Sequence, residues 1–302
     1  MSTELFRVKS TSQLHRLSGL KKSTHPLISV IDLSQTEVLE EQVGITGCLD
    51  FYVIGLKDRS CGTQYGRNHY DFDEGVLYFY APNQVQTVAK SYRKGEINGW
   101  MIVFHADLIR NTNLGTTIDS YNFFNYSVYE ALHVSEAEQD SVTDCMKLIQ
   151  REVSERVDKH SQTVISSTLE LLLNLSQRYY ERQFNTRSAQ NSDYVSQFEY
   201  HLKSYYEADL FKIEGVPSVE YFSNKLHLSS SYFSDLLKKE TGLNAKESIN
   251  HFVIDKAKTR LLNSTNTVSE IAYELGFNYP HYFSRLFKSK TGKTPNEFRQ
   301  VP

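Results

Sequence analysis

The chain has little of what staples, breaks or anchors a protein. Of its 302 residues three are cysteine, six proline, fourteen glycine and one tryptophan. Cys48, Cys61 and Cys145 are an odd number without metal-ligand spacing, which excludes a disulfide framework and reads as reduced thiols in a cytoplasm. So few glycines and prolines exclude a collagen-like or low-complexity chain. No apolar run approaches the ~20 residues that a membrane helix needs. The start, Met1-Ser-Thr-Glu-Leu-Phe-Arg7, lacks the basic-then-apolar pattern of a secretory leader. What is present is core material: 20 Tyr, 17 Phe and 39% hydrophobic residues beside 23% charged ones. At this length the composition predicts a cytoplasmic globular protein of two domains, without membrane contact.

Charge is divided unevenly along the chain. Residues 216–302 hold 12 Lys+Arg against 8 Asp+Glu, a net of +4, whereas residues 1–215 hold 21 against 28, a net of −7. A basic end on an acidic body points to a polyanion-binding module joined to something else.

Residues 25–105 read as strands. Leu27–Leu33, Leu49–Ile54, Val76–Ala81 and Trp100–Phe104 are short runs of β-branched and aromatic residues, separated by turn formers such as Thr46-Gly47, Asp73-Glu-Gly75 and Pro82-Asn83. That spacing suggests a small barrel or sandwich. From Ser135 the period lengthens. Val142, Met146, Ile149, Val153 and Val157 form one helical stripe, and Ile165, Leu169, Leu172, Leu175 and Tyr179 form a second, so a helical hairpin is expected. Asn185–Asp193 is polar and without period and reads as a linker. The expected fold is α+β: residues 1–190 form a β-barrel domain with a helical hairpin, and residues 191–302 form an all-α domain.

The all-α part contains an internal repeat. Residues 218–242 parallel residues 267–292, with an offset of 49 before the central turn (Val219 to Val268, Leu226 to Leu275) and 50 after it (Phe233 to Phe283, Gly242 to Gly292). Each copy reads as a helix–turn–helix. In the second, Thr267 and Glu270 form a capping box, Gly276 supplies the positive φ of the turn, Asn278 caps the next helix, and Pro280 falls in its first turn. Phe283, Leu286 and Phe287 face the core. Tyr279, His281, Ser284, Arg285 and Lys288 are then left on an outer face whose width suits a DNA major groove. The first copy presents Ser230, Ser231, Tyr232, Asp235, Lys238 and Lys239 in the same way. Between the copies Ala245–Leu262 is a helical run, about 27 Å long at 1.5 Å per residue. Such a rod suits two recognition helices set near the ~34 Å repeat of B-DNA. The residues thus predict a reader of double-stranded DNA; a helical protein-binding module is the alternative.

Val268-Ser-Glu-Ile-Ala272, Gly276-Phe277, Tyr282-Phe-Ser-Arg-Leu-Phe-Lys288, Gly292 and Thr294-Pro-Asn-Glu-Phe-Arg299 resemble the signature of AraC/XylS-type transcriptional regulators, over about the last hundred residues. The resemblance implies a bacterial transcription factor, usually an activator. It also implies a cupin-like barrel that senses a small-molecule effector, helices that form a homodimer, and RNA polymerase as a partner. By resemblance Arg285 is a base reader, with His281 one turn earlier. Asp235 departs from the basic residue often found at that place in the first copy, which shifts weight to Ser230, Ser231 and Tyr232. Lys238, Lys239, Lys288 and Lys290 suit phosphates, which position a protein without reading sequence.

Cupin barrels can also be enzymes, metal-dependent or metal-free. A metal cupin needs paired histidines on one strand. Gly62–Glu74 has only His69, and His25, His105 and His133 are isolated, so no catalysis, metal or cofactor is expected. Arg67, His69, Tyr78 and Tyr80 combine polar tips with apolar bodies and are candidate effector contacts. Strand alternation places Val76, Tyr78 and Tyr80 on one face.

Overall fold

A computed structural model describes residues 6–58, 71–155 and 158–300. The chain divides into two compact units, Met1–Thr186 and Arg187–Pro302.

In the first unit the described strands are β1 (Phe6–Val8), β2 (Ile28–Asp32), β3 (Thr46–Leu49), β4 (Phe51–Asp58), β5 (Gly75–Tyr80), β6 (Val85–Thr87), β7 (Gly99–His105) and β8 (Leu132–Val134). Helix α1 (Thr11–Leu17) follows β1; the short α2 (Ala106–Ile109) and α3 (Asn113–Thr117) follow β7. Two sheets result, ordered β1-β3-β6 and β2-β7-β4-β5-β8. The second is antiparallel throughout. The four strands expected from β-branched and aromatic runs correspond to β2, β4, β5 and β7. The three-residue strands β1, β6 and β8 are too short to show a period.

Both faces of the five-stranded sheet are covered. Tyr78 joins Ile31, Phe51, Val53 and Val103 in a cluster on one face, with Val76 and Tyr80 packed at its margin. On the other face Phe79 meets Phe123, Phe124 and Tyr180. Gly55 is needed here: a Cβ on it would lie 2.0 Å from the ring of Tyr78, its cross-strand partner.

The expected hairpin is α4 (Glu136–Ser154) and α5 (Ser161–Thr186). Val142, Met146, Ile149 and Val153 are buried on α4, and Ile165, Leu169, Leu172 and Tyr179 on α5; Val157 lies outside the described residues. Ser135 caps α4, and its capping-box partner Glu138 also accepts two bonds from Arg182 of α5, at 3.1 and 2.7 Å. The short strand β8 ends its sheet, and the buried Gln183 of α5 bonds the backbone of β8 and of the residue before it. Its Oε1 accepts from His133 N–H at 2.7 Å and its Nε2 donates to Ala131 O at 3.2 Å.

The boundary between the units falls within Asn185–Asp193, but the stretch is helical and not an irregular linker. Asn185 and Thr186 complete α5, and after Arg187 the chain is helical again as α6 (Ser188–Glu207). The polar residues are the first turns of a helix whose buried stripe comes later, at Phe198, Leu202, Tyr205 and Tyr206. Periodicity read over the polar stretch alone missed these first turns. The second unit continues with α7 (Phe211–Glu214), α8 (Val219–Lys225), α9 (Ser230–Thr241), α10 (Ala245–Asn263), α11 (Val268–Glu274), α12 (Pro280–Thr291) and α13 (Pro295–Arg299). One core joins them, centred on Phe222, Phe233, Val253, Ile271, Phe283 and Phe287. Each such side chain fully removed from water contributes roughly 1.5–3 kcal/mol. Among the described residues no helix is long and apolar enough to cross a membrane.

Candidate nucleic-acid interface

The two copies fold as two helix–turn–helix units, α8–α9 and α11–α12. Ser218 caps α8, and Thr267 caps α11 with Glu270 closing the box. Both first helices end on the same hydrogen-bonded turn: Leu228 N–H donates to Ser223 O at 2.9 Å, and Phe277 N–H donates to Ala272 O at 3.0 Å. This 6→1 closure needs a residue of positive φ. The second copy uses Gly276 (φ +91°), whereas the first uses His227 (φ +56°). Both second helices end on a left-handed glycine, Gly242 and Gly292, with Thr241 and Thr291 donating back to Leu237 O and Phe287 O, each at 2.8 Å.

The repeat runs further than the helix–turn–helix pairs. The Asn244/Glu247 capping box that starts α10 recurs as Thr294/Glu297 at the start of α13. Arg299, the last residue of α13, then reaches back, donating to Leu261 O at 3.2 Å and Asn266 O at 2.6 Å, which ties the end of α10 and the approach to α11. Capping hydrogen bonds from Thr267 and Thr294 hold the Glu270 and Glu297 carboxyls below the usual carboxylate range.

Two tyrosines of α6 brace the arrangement. Tyr205 donates to Gly215 O at 2.8 Å, Tyr206 donates to Leu275 O at 3.4 Å, and Val216 N–H donates to Gly276 O at 3.0 Å. The segment entering the first helix–turn–helix is thereby bonded to the turn of the second. Burial pushes the Tyr205 phenol up to about 12 and raises that of Tyr206 as well, so both hydroxyls stay protonated donors.

On α12, His281, Arg285, Lys288 and Lys290 are exposed. Arg285 forms no ion pair among the described residues. Ser284 is half-buried and its hydroxyl donates to Pro280 O at 3.0 Å. The cap is Tyr279, not Asn278, and its side chain makes no capping bond; Pro280 opens the helix, and its missing N–H leaves one fewer donor to satisfy. The sequence reading missed Tyr282, which is 56% exposed beside Tyr279 at 58%. The Tyr279, His281 and Tyr282 rings lie within 6 Å of one another, with His281 and Tyr282 centroids 4.3 Å apart. The signal was in the repeat itself, since Tyr282 is the counterpart of Tyr232.

The first copy differs at that position. Tyr232, expected on the reading face, is 3% exposed. The cause is α6: Arg187, just before it, donates to the Tyr232 hydroxyl at 3.4 Å, and Asn191 donates to Glu240 at 3.1 Å, so the helix lies along α9. Ser230 and Ser231 are half-buried, and Ser230 shares a 3.0 Å hydrogen bond with Ser223. Asp235 is half-buried; Lys238 and Lys239 are exposed.

Of the candidate effector residues, Tyr78 and Tyr80 lie on the face that meets the inner cluster of the first unit, their rings 5.5 Å apart. Arg67 and His69 lie outside the described residues. No group of three or more His, Cys, Asp or Glu side chains among the described residues is arranged to hold a metal ion.

A helix–turn–helix pair built twice, with capped helices and a cationic outer face on α12, defines a DNA-binding class of domain. Residues 222–300 match the family described as a helix-turn-helix domain. The chain is 33% identical over 143 residues to the HTH-type transcriptional regulator YfiF of Bacillus subtilis, covering 47% of this chain and 41% of that one. It is 33% identical over 81 residues to the HTH-type transcriptional activator RhaS of Citrobacter koseri, covering 27% of this chain and 29% of that one. The chain thus spans less than half the length of these curated relatives. Among solved structures, the C-terminal domain of the two-component response regulator yesN from Fusobacterium nucleatum is 28% identical, covering 34% of this chain and 97% of that one, with a TM-score of 0.30. The C-terminal unit is thus similar to the helix–turn–helix domains of these regulators.

Proposed function

We propose that the protein is a cytoplasmic, sequence-specific DNA-binding transcriptional regulator, and an activator, that inserts α9 and α12 into successive major grooves. The observation that carries this reading is the duplicated helix–turn–helix on one core, with α10 between the copies. At 1.5 Å per residue its 19 residues span roughly 28 Å, a length commensurate with one turn of B-DNA. Arg285 reads a guanine through O6 and N7, a contact worth about 1–3 kcal/mol of discrimination. His281 and the exposed rings of Tyr279 and Tyr282 lie against bases and sugars beside it. Lys238, Lys239, Lys288 and Lys290 meet phosphates. In the first copy Ser230, Ser231 and Asp235 are the remaining candidates for base contact, and the burial of Tyr232 supports a smaller share of the reading for α9. The family supports a homodimer, contact with RNA polymerase, and control by a small-molecule effector sensed in the first unit, where Tyr78 and Tyr80, with Arg67 and His69, are the candidate contacts. The protein acts by binding, not by catalysis.

The test is selection of bound sites from random and genomic DNA by the intact protein and by Arg285→Ala at matched salt. The expected site has two major-groove blocks about one helical turn apart. The variant relaxes the preference at one base pair. Absence of enrichment at low salt, with and without a metabolite extract, would sink the reading and favour a protein-binding module.

A further inference from the structure

The first unit carries a cleft that no part of the DNA-binding reading uses. It lies at the free edge of β2, the terminal strand of the five-stranded sheet, and encloses about 450 Å³ between the segment after α1, the strand edge and the end of α4. Lys21, Lys22 and Lys94 line it against a single carboxylate, Asp32. That carboxylate is already engaged, accepting from Ser34 N–H and the Ser34 hydroxyl at 2.9 and 2.7 Å. Glu37 approaches Gly19 at the rim. Lys21 and Lys22 form no ion pair among the described residues.

The lysine-bearing segment is held in place. His15 bonds Lys21 O through Nδ1 and the buried Ser29 hydroxyl through Nε2, the latter at 2.7 Å, and Lys94 Nζ donates to Gly19 O at 3.2 Å. The strand edge adds a backbone donor and acceptor. His105 N–H donates to Leu27 O, so the residues of β2 that exchange bonds with β7 are Ser29 and Ile31, and alternation turns the N–H and C=O of Val30, which lines the cleft, away from β7.

We propose that this cleft binds a small organic anion carrying two or more negative charges, a phosphate ester or a polycarboxylate. Three ammonium groups, those of Lys21, Lys22 and Lys94, outnumber the carboxylates of Asp32 in the cleft and Glu37 at its rim, a local excess of positive charge on the acidic half of the chain. Thr24, Gln35 and Gln150 supply neutral hydrogen-bonding groups for the rest of such a ligand. The inference does not rest on the DNA-binding reading.

The only tryptophan reports on the site, since Trp100 of β7 is the register partner of Asp32. The full-length protein is titrated without DNA, at constant ionic strength, with inorganic pyrophosphate in one arm and citrate in the other, and Trp100 emission is followed. A saturable change is expected with at least one probe, and which one saturates identifies phosphate or carboxylate chemistry. Lys22→Gln with Lys94→Gln is expected to weaken it by about ten-fold or more, while Lys203→Gln with Lys246→Gln, exposed in the second unit, leaves it unchanged. The altered lysines are at the surface, and matching circular dichroism of each variant establishes that it is folded. A response that never saturates, that sodium chloride reproduces, or that persists in the folded Lys22/Lys94 variant would overturn the proposal.

Discussion

Three glycines with positive φ close the helices of the two helix–turn–helix units, and replacing each by alanine separates two physical costs. Gly242 (φ +79°) and Gly292 (φ +75°) have nothing within 4 Å of an added Cβ. Alanine there meets only left-handed backbone strain of about 1–2 kcal/mol, less the ~0.4–1 kcal/mol gained by stiffening the unfolded chain. A net loss of about 0.5–1.5 kcal/mol follows for each. Gly276 (φ +91°) differs because its Cβ would sit 2.7 Å from Gly215 C and 2.9 Å from Val216 N, both backbone atoms. Overpacking adds about 1–3 kcal/mol, and the Val216–Gly276 hydrogen bond, about 1 kcal/mol, is strained with it. The expected loss is therefore about 3–5 kcal/mol. Urea unfolding of the full chain, followed by amide exchange in peptides from 187–300, measures all three. A Gly276→Ala loss within about 0.5 kcal/mol of the other two would show that the close approach of residues 215–216 to the turn carries no energy, and would refute the reasoning.

The counterpart tyrosines are expected to behave oppositely. Tyr232→Ala removes a buried ring and destabilises the second unit by about 3–4 kcal/mol, whereas Tyr282→Ala leaves thermal stability within about 0.5 kcal/mol of the parent and weakens operator binding; melting curves and DNA titrations of the two variants decide. Gln183→Leu leaves His133 N–H and Ala131 O without their partner and costs about 2–4 kcal/mol, read by urea unfolding of the first unit. Because Glu270 and Glu297 are held below the usual carboxylate range, their ionised capping boxes support the fold at neutral pH. That support is lost as pH falls below about 4.3 and through the depressed values. The gap in melting temperature between the parent and Glu270→Gln/Glu297→Gln should accordingly close on acidification, and a gap that stays constant down to about pH 3 would refute the assignment.

Sequence by itself determined the parts of this protein that rest on local chemistry. Alternation of β-branched and aromatic residues marked β2, β4, β5 and β7, and a period near 3.6 marked α4, α5 and α10. Thr267 with Glu270, Gly276 and Pro280 marked the starts and turns of the second copy, because capping and positive φ depend on residues a few positions apart. The short strands β1, β6 and β8 were not legible, since their pairing and burial come from residues far along the chain. The first turns of α6 were hidden because they are polar and their partners, Tyr232 and Glu240, are supplied from more than forty residues away. The same distance explains the site. The sequence marked the outward face of α12, where Arg285 and His281 are exposed. It misassigned Tyr232, because the identity of a side chain does not reveal whether another helix lies across it. Tyr232 and Tyr282 occupy equivalent places in the repeat, and only tertiary packing, through Arg187 and α6, makes one a core residue and leaves the other on the surface.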